Sequence, residues 1–139
     1  MTEFKNQILE GHNLAREAVA LPPLVWEPIL SKYARIFSDD IRRRGCKLIY
    51  TPRNSFGENV FKGIRITAKD AVAAWVAGKQ WYNHDNNTCL PGKDCTDYTQ
   101  VVWRHTIRVG CSQFKCESGE TFITCEYYPP GNYKGARPY

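Results

Sequence analysis

The chain has no apolar run of about 18 residues, so no segment is expected to cross a bilayer as a helix. It has no CxxC pair, which removes zinc-finger and thioredoxin-like readings despite its six cysteines. No HExxH spacing joins its three histidines, and no GxSxG elbow presents a serine nucleophile. Internal repeats and low-complexity linkers are also missing. Nor does the chain open on a secretory signal, because Met1-Thr2-Glu3-Phe4 leads straight into an amphipathic pattern.

What is present fits one folded domain. At 139 residues the chain is long enough for one core and too short for two. Hydrophobic residues at 42% and charged residues at 24% are ordinary for a soluble globular protein. Six cysteines in so short a chain favour an oxidising compartment. That agrees with the missing signal if the chain is a mature domain whose leader was removed. Spacing alone leaves all fifteen cysteine pairings open. If every cysteine is paired, none can act as a thiolate.

The net charge of +5 and the run Arg42-Arg43-Arg44 with Lys47 invite a nucleic-acid reading. The pattern Ile29, Leu30, Tyr33, Phe37, Ile41 instead marks a helix that Gly45 ends, and cations in its last turn complement the helix dipole. With no interleaved aromatics and no binding module, no nucleic-acid partner is expected. Loose attraction to anionic surfaces remains.

Three helices are legible. Phe4, Ile8, His12, Ala15 and Val19 repeat at helical steps, and Pro22-Pro23 ends that helix. A second helix starts near Trp26 with Pro28 in its first turn. A third starts at Thr67, with Asp70 completing a capping box, and buries Ala68, Val72, Trp75 and Val76. Residues 59–61, 107–114 and 121–127 read as strands, with a hairpin turn at 117–120. Helices followed by strands without regular alternation argue for an α+β fold. His12 lies on an apolar stripe and reads as a satisfied core histidine, while His84 sits in a polar loop and His105 in a turn.

Several motifs carry a resemblance. The segments are GHNLAR at 11–16, PLVWEP at 23–28, GEN at 57–59, NTC at 87–89, YTQVVW at 98–103, VGC at 109–111 and ITCEYYPPGNY at 123–133, with a final ARPY. In this order the chain resembles the class 1 plant pathogenesis-related proteins, within the superfamily of cysteine-rich secretory proteins, antigen 5 and pathogenesis-related proteins. The resemblance covers nearly the whole chain. It implies a three-layer α-β-α sandwich around a central, largely antiparallel sheet, with disulfides Cys46–Cys116, Cys89–Cys95 and Cys111–Cys125. It also implies one domain over residues 1–139, with 129–139 as an extended C-terminal tail, and an extracellular location.

The superfamily's shared cleft carries two His and two Glu and, in several branches, a divalent metal. The four positions fall here on Tyr50, Glu58, Gly78 and Asp97. Only Glu58 keeps the family's residue, so no metal and no other cofactor is expected. Without a nucleophile or that cleft, the chain is expected not to be an enzyme. Relatives are implicated in binding sterols through an aromatic loop after the third helix, which places the candidate ligand residues at Trp75, Trp81 and Tyr82. The implied partner is a sterol or other lipid, with an antifungal effect. The alternative is a signalling peptide released between Tyr128 and Pro129, or a module that meets a pathogen or receptor protein. Asn86-Asn87-Thr88 is an N-glycosylation sequon. The chain is expected to act as a monomer.

Overall fold

A computed structural model describes residues 2–47 and 56–139. Helix α1 (Thr2–Glu17) is followed by strand β1 (Val25–Trp26) and helix α2 (Pro28–Arg43). Strand β2 (Gly57–Ile64) leads to helix α3 (Ala68–Val76), whose last turn tightens into a 3₁₀ segment (Ala77–Trp81). A small hairpin follows, β3 (Tyr82–Asn83) with β4 (Thr88–Cys89), then helix α4 (Thr96–Val101). Strands β5 (Arg108–Lys115) and β6 (Glu120–Tyr128) complete the regular structure of the described residues.

The main sheet runs β1-β5-β6-β2, antiparallel except where β1 lies parallel to β5. Alternation along β5 and β6 sends Val109, Cys111, Ile123, Cys125 and Tyr127 to one face, where α1, α3 and α4 cover them. Phe122, with Phe114 and Val60, faces Ile41 and Phe37 of α2 on the other side. The sandwich therefore has a core on each face of the sheet.

Local chemistry sets the helix ends. Thr67 Oγ1 accepts from Asp70 N at 3.2 Å while Asp70 Oδ2 accepts from Thr67 N at 2.8 Å, a closed capping box. The second helix begins later than the sequence pattern implies. Trp26 is a strand residue paired with Val109, and Glu27 caps α2 by accepting from Ile29 N at 3.3 Å. Its buried face is Leu30, Ala34, Ser38 and Ile41, while Ile29 and Tyr33 are exposed. At its other end Gly45 takes φ +76°, and Cys46 N donates back to Ile41 O at 2.9 Å.

The three bridges are the ones the resemblance implies: Cys46–Cys116, Cys89–Cys95 and Cys111–Cys125. The first spans 70 residues and contributes roughly 4 kcal/mol on the chain-entropy account. The second spans 6 residues, is worth about 2 kcal/mol on the same account, and staples the chain just after β4. The third joins residues directly opposite each other in the β5–β6 ladder, with Cα atoms 4.1 Å apart.

Candidate functional site

The short helix α4 is where the sequence motifs meet. Its Tyr98 and Val101, with Val102 just beyond its end, enter the core. Gln100 donates from Nε2 to Thr106 Oγ1 at 3.1 Å and accepts from Gly131 N at 3.1 Å. Thr99 Oγ1 donates to Asn132 Oδ1 at 2.6 Å, and Asn132 Nδ2 donates to Thr96 O at 2.9 Å. The YTQVVW signature thus holds the PPGN segment by direct hydrogen bonds.

Arg16, from GHNLAR, closes the same knot. It is buried, and its guanidinium donates to Pro22 O at 2.8 Å, Val101 O at 3.0 Å, Trp103 O at 2.8 Å and Thr106 O at 3.2 Å. Burial lowers its pKa to about 10, so the group stays charged at neutral pH. Arg16 stands four residues beyond His12 on the inner face of α1, a position where a charge is not usually read as buried.

His12 is also structural. Its Nδ1 lies 2.7 Å from Ile8 O, an acceptor, so that nitrogen carries the proton. Nε2 then accepts from Tyr127 Oη at 2.7 Å, and Tyr127 Oη accepts from Asn59 Nδ2 at 3.3 Å. Burial drives the imidazole pKa down to about 4 and the Tyr127 phenol pKa well up. This Asn59–Tyr127–His12 line is filled by its own members, leaving no spare donor for a substrate.

The four cleft positions have different fates. Tyr50 lies outside the described residues. Glu58 is half-buried and stands opposite Glu126 in the β2–β6 ladder. Gly78 is buried, and a Cβ there would stand 3.1 Å from Tyr98 Cβ and 3.6 Å from Asp94 O, so its small size lets the 3₁₀ segment close on α4. Asp97 accepts at its backbone O from Asn59 Nδ2 at 3.1 Å. Burial, then the charge of Asp94, raises the Asp97 carboxyl to about 6. Among the described residues no three His, Cys, Asp or Glu side chains converge on a point that could hold a metal ion.

The aromatic residues of the candidate loop separate. Trp75 belongs to the core, 1% exposed, with Nε1 donating to Val60 O at 3.2 Å. Trp81 and Tyr82 instead line an open groove of about 510 Å³ with His84, Asp85, Leu90 and Pro91. Lys93 Nζ sits 4.6 Å from the centre of the Trp81 ring. Tyr82 packs on Tyr98 with ring centres 5.9 Å apart and donates from its hydroxyl to Asn87 Oδ1 at 2.6 Å. Burial raises its phenol pKa. The β3–β4 hairpin is the groove's wall, and Leu90 N donates to Trp81 O at 2.9 Å at its base. Asn86, the sequon residue, is exposed in the turn of this hairpin.

A second groove of about 420 Å³ lies between α1 and α2, floored by Phe4, Trp26 and Cys111 and rimmed by Lys5, Lys32 and Arg35. Its cations suit an anion. At the other candidate position, the Tyr128–Pro129 bond, Tyr128 O accepts from Ile107 N at 3.0 Å and Pro129 O accepts from Thr106 Oγ1 at 2.7 Å.

These features define a disulfide-braced α-β-α sandwich with an aromatic groove beside a stapled hairpin. The chain belongs to the cysteine-rich secretory protein family, whose profile matches residues 9–127. It is 47% identical over 139 residues to a pathogenesis-related protein PR-1 of Medicago truncatula, covering 98% of this chain and 79% of that protein. It is 44% identical over 133 residues to a PR-1 type pathogenesis-related protein of Sambucus nigra, covering 94% and 79%. Among solved structures it resembles venom allergen-like protein 4 of Schistosoma mansoni, with TM-score 0.75 and 27% identity over 96% of this chain and 92% of that one. It also shares its fold with NaASP2, solved with Zn²⁺, at TM-score 0.81 and 21% identity over 100% and 86%. No helix among the described residues is long and apolar enough to cross a membrane.

Proposed function

We propose that this chain is a secreted, non-enzymatic defence protein that binds a sterol or related apolar ligand in the groove beside the β3–β4 hairpin. One observation carries the reading. Trp81 and Tyr82, partly buried where the 3₁₀ segment ends, line an open groove of about 510 Å³ with Leu90 and Pro91. The two aromatic faces suit a planar ring system, and the polar side chains that share the lining, Asn83, His84, Asp85 and Thr88 among them, suit one that bears a hydroxyl. The groove between α1 and α2 has the more apolar lining, and the cations Lys5, Lys32 and Arg35 at its rim set it apart by favouring an anionic ligand. Disulfides in all three expected places and relatives named as pathogenesis-related proteins support an extracellular, defence-related role. A non-enzymatic action fits a His12 sealed in its own hydrogen bonds and six cysteines all paired. A glycan on Asn86 would project from the hairpin turn, where the side chain is exposed.

The test is titration of the oxidised protein with dehydroergosterol, a fluorescent sterol, beside the Trp81→Ala, Tyr82→Ala double variant and a Trp26→Ala variant in the other groove. Saturable binding is expected, weakened roughly tenfold or more by the double change, since each buried aromatic contributes on the order of 1.5–3 kcal/mol. Trp26→Ala is expected to leave it unchanged. Absence of binding at micromolar protein refutes the reading.

A second reading, release of the tail after Tyr128 as a signalling peptide, is favoured by the exposure of residues 132–137. Both carbonyls flanking the bond are hydrogen-bonded, so a protease would meet it only after the end of β6 opens.

A further inference from the structure

The last residues of the tail return to the hairpin that walls the groove. Arg137 Nη1 donates to His84 O at 2.6 Å and Arg137 Nη2 to Asp85 O at 3.2 Å. Asn87 Nδ2 donates to Ala136 O at 3.2 Å. The Tyr139 ring stacks on the His84 imidazole, centres 4.1 Å apart and planes within 8°, and His84 Nε2 lies 2.8 Å from Tyr139 O. Behind these contacts the tail is pinned to the body, since Arg104 N donates to Pro138 O at 2.7 Å and Tyr139 packs on the main core.

Beyond the packing of Tyr82 on Tyr98 and the bond from its hydroxyl to Asn87, the hairpin has little else to hold it. Its ladder is two residues long on each side, and its turn is organised by its own side chains, with Asn83 Oδ1 accepting from Asp85 N at 2.9 Å. A two-stranded hairpin of this length is marginal by itself. Cys89–Cys95 anchors its C-terminal end but not the turn at His84–Asn87. None of the described residues lining the groove comes from the tail, so the tail supports the wall and does not occupy the space.

We infer that residues 136–139 are a buttress for the ligand groove, with Arg137 and Tyr139 as its positioning residues. The inference rests on the reading of that groove as the ligand site. Two consequences follow from linkage. Undocking the tail loosens the wall and weakens ligand binding. By the same free energy, a bound ligand that orders the hairpin holds the tail in place and slows its loss. Sequestration of ligand and release of the tail thus oppose each other.

The experiment uses the full oxidised chain, comparing wild type with an Arg137→Ala, Tyr139→Ala double variant. A Lys134→Ala variant changes a tail residue that makes none of these contacts. Amide hydrogen exchange is followed over residues 83–88 and, as an internal reference, over the β5–β6 ladder. In the double variant the hairpin amides are expected to exchange about tenfold faster or more, the scale of losing bonds from a charged donor. The ladder and the Lys134 variant should match wild type, and the dissociation constant for dehydroergosterol should rise by a comparable factor. If the ladder also loses protection, Arg137→Gln alone, a milder change, gives the answer on the same amides. Unchanged hairpin exchange overturns the buttress whatever the sterol result. Faster exchange with unchanged sterol affinity overturns the coupling. Faster exchange in a protein whose wild type binds no sterol leaves the buttress standing and defeats the ligand reading alone.

Discussion

Replacing Arg16 with methionine tests how much of the fold depends on one buried cation. The substitution keeps the aliphatic stem and removes a guanidinium that serves four carbonyls, at Pro22, Val101, Trp103 and Thr106. A hydrogen bond to a charged group contributes roughly 1.5–3 kcal/mol, so the gross loss is on the order of 6–12 kcal/mol. Against this, the variant no longer has to strip water from an ion, which returns several kcal/mol. The net destabilisation expected is about 3–5 kcal/mol, because the carbonyls stay behind without a donor. For a domain of this size each kcal/mol moves the melting temperature by roughly 3 °C, so a fall of about 10 °C or more is expected. Urea unfolding of the oxidised protein, followed by tryptophan fluorescence, measures it directly. The m-value should stay constant while the midpoint drops. Arg16→Lys should fall between, since an ammonium reaches fewer of the four carbonyls. A loss below about 1 kcal/mol for Arg16→Met would refute the account and mean that water replaces the guanidinium at little cost.

Other outcomes can be stated more briefly. Burial lowers His12 from its ordinary 6.5 to about 4, so the unfolded chain binds more protons between those values and stability rises with pH across them. Asp97, raised from 3.8 to about 6, works the other way, because the folded chain holds the extra proton in that window. Asp97→Asn should therefore make stability climb more steeply with pH between about 4 and 6. Equal slopes for variant and wild type in urea midpoints would contradict this. Gly110→Ala should destabilise by about 3 kcal/mol in calorimetry. Its Cβ would press on Ser31 N and stand 2.6 Å from Glu27 O and 2.7 Å from Leu30 C, all backbone of the α2 start that cannot swing aside. A change within about 0.5 kcal/mol would show that helix and strand separate easily there.

Much of the architecture is readable from the sequence because its signals are local. The Thr67–Asp70 capping box, the turn at 117–120 and the alternating residues of β5 and β6 each lie within a few positions, and each appears as expected. Helix α4 is not readable that way. Six residues long, it has no apolar period of its own and is held by partners at Arg16 and Gly131, far off in sequence. The inner face of α1 is readable only in part. Ala15 and Val19 do pack on the core, but the fully buried run Phe4, Ile8, His12 continues to Arg16, and a charge at that spacing is easily assigned to solvent. On α2 the exposed Ile29 and Tyr33 mislead in the opposite sense, because Ala34 and Ser38 are small enough to lie against the sheet. Motif order named the groove's Trp81 and Tyr82, while Trp75 answers to the core. The tail's grip on the hairpin joins positions about fifty apart and leaves no periodic trace.

The Cys111–Cys125 bridge is a record of alignment. Its two cysteines face the same side of the sheet and stand opposite each other in the central ladder. A slip of one residue would carry either of them to the α2 face, out of reach of the other. Oxidation therefore happens only in the correct register and then makes that register permanent. Neither β5 nor β6 can slide afterwards, and neither can be lent to a neighbouring molecule without its partner. Once the bridge has closed within one chain, two copies cannot trade a single strand of the central ladder, which closes a common route to swapped dimers there.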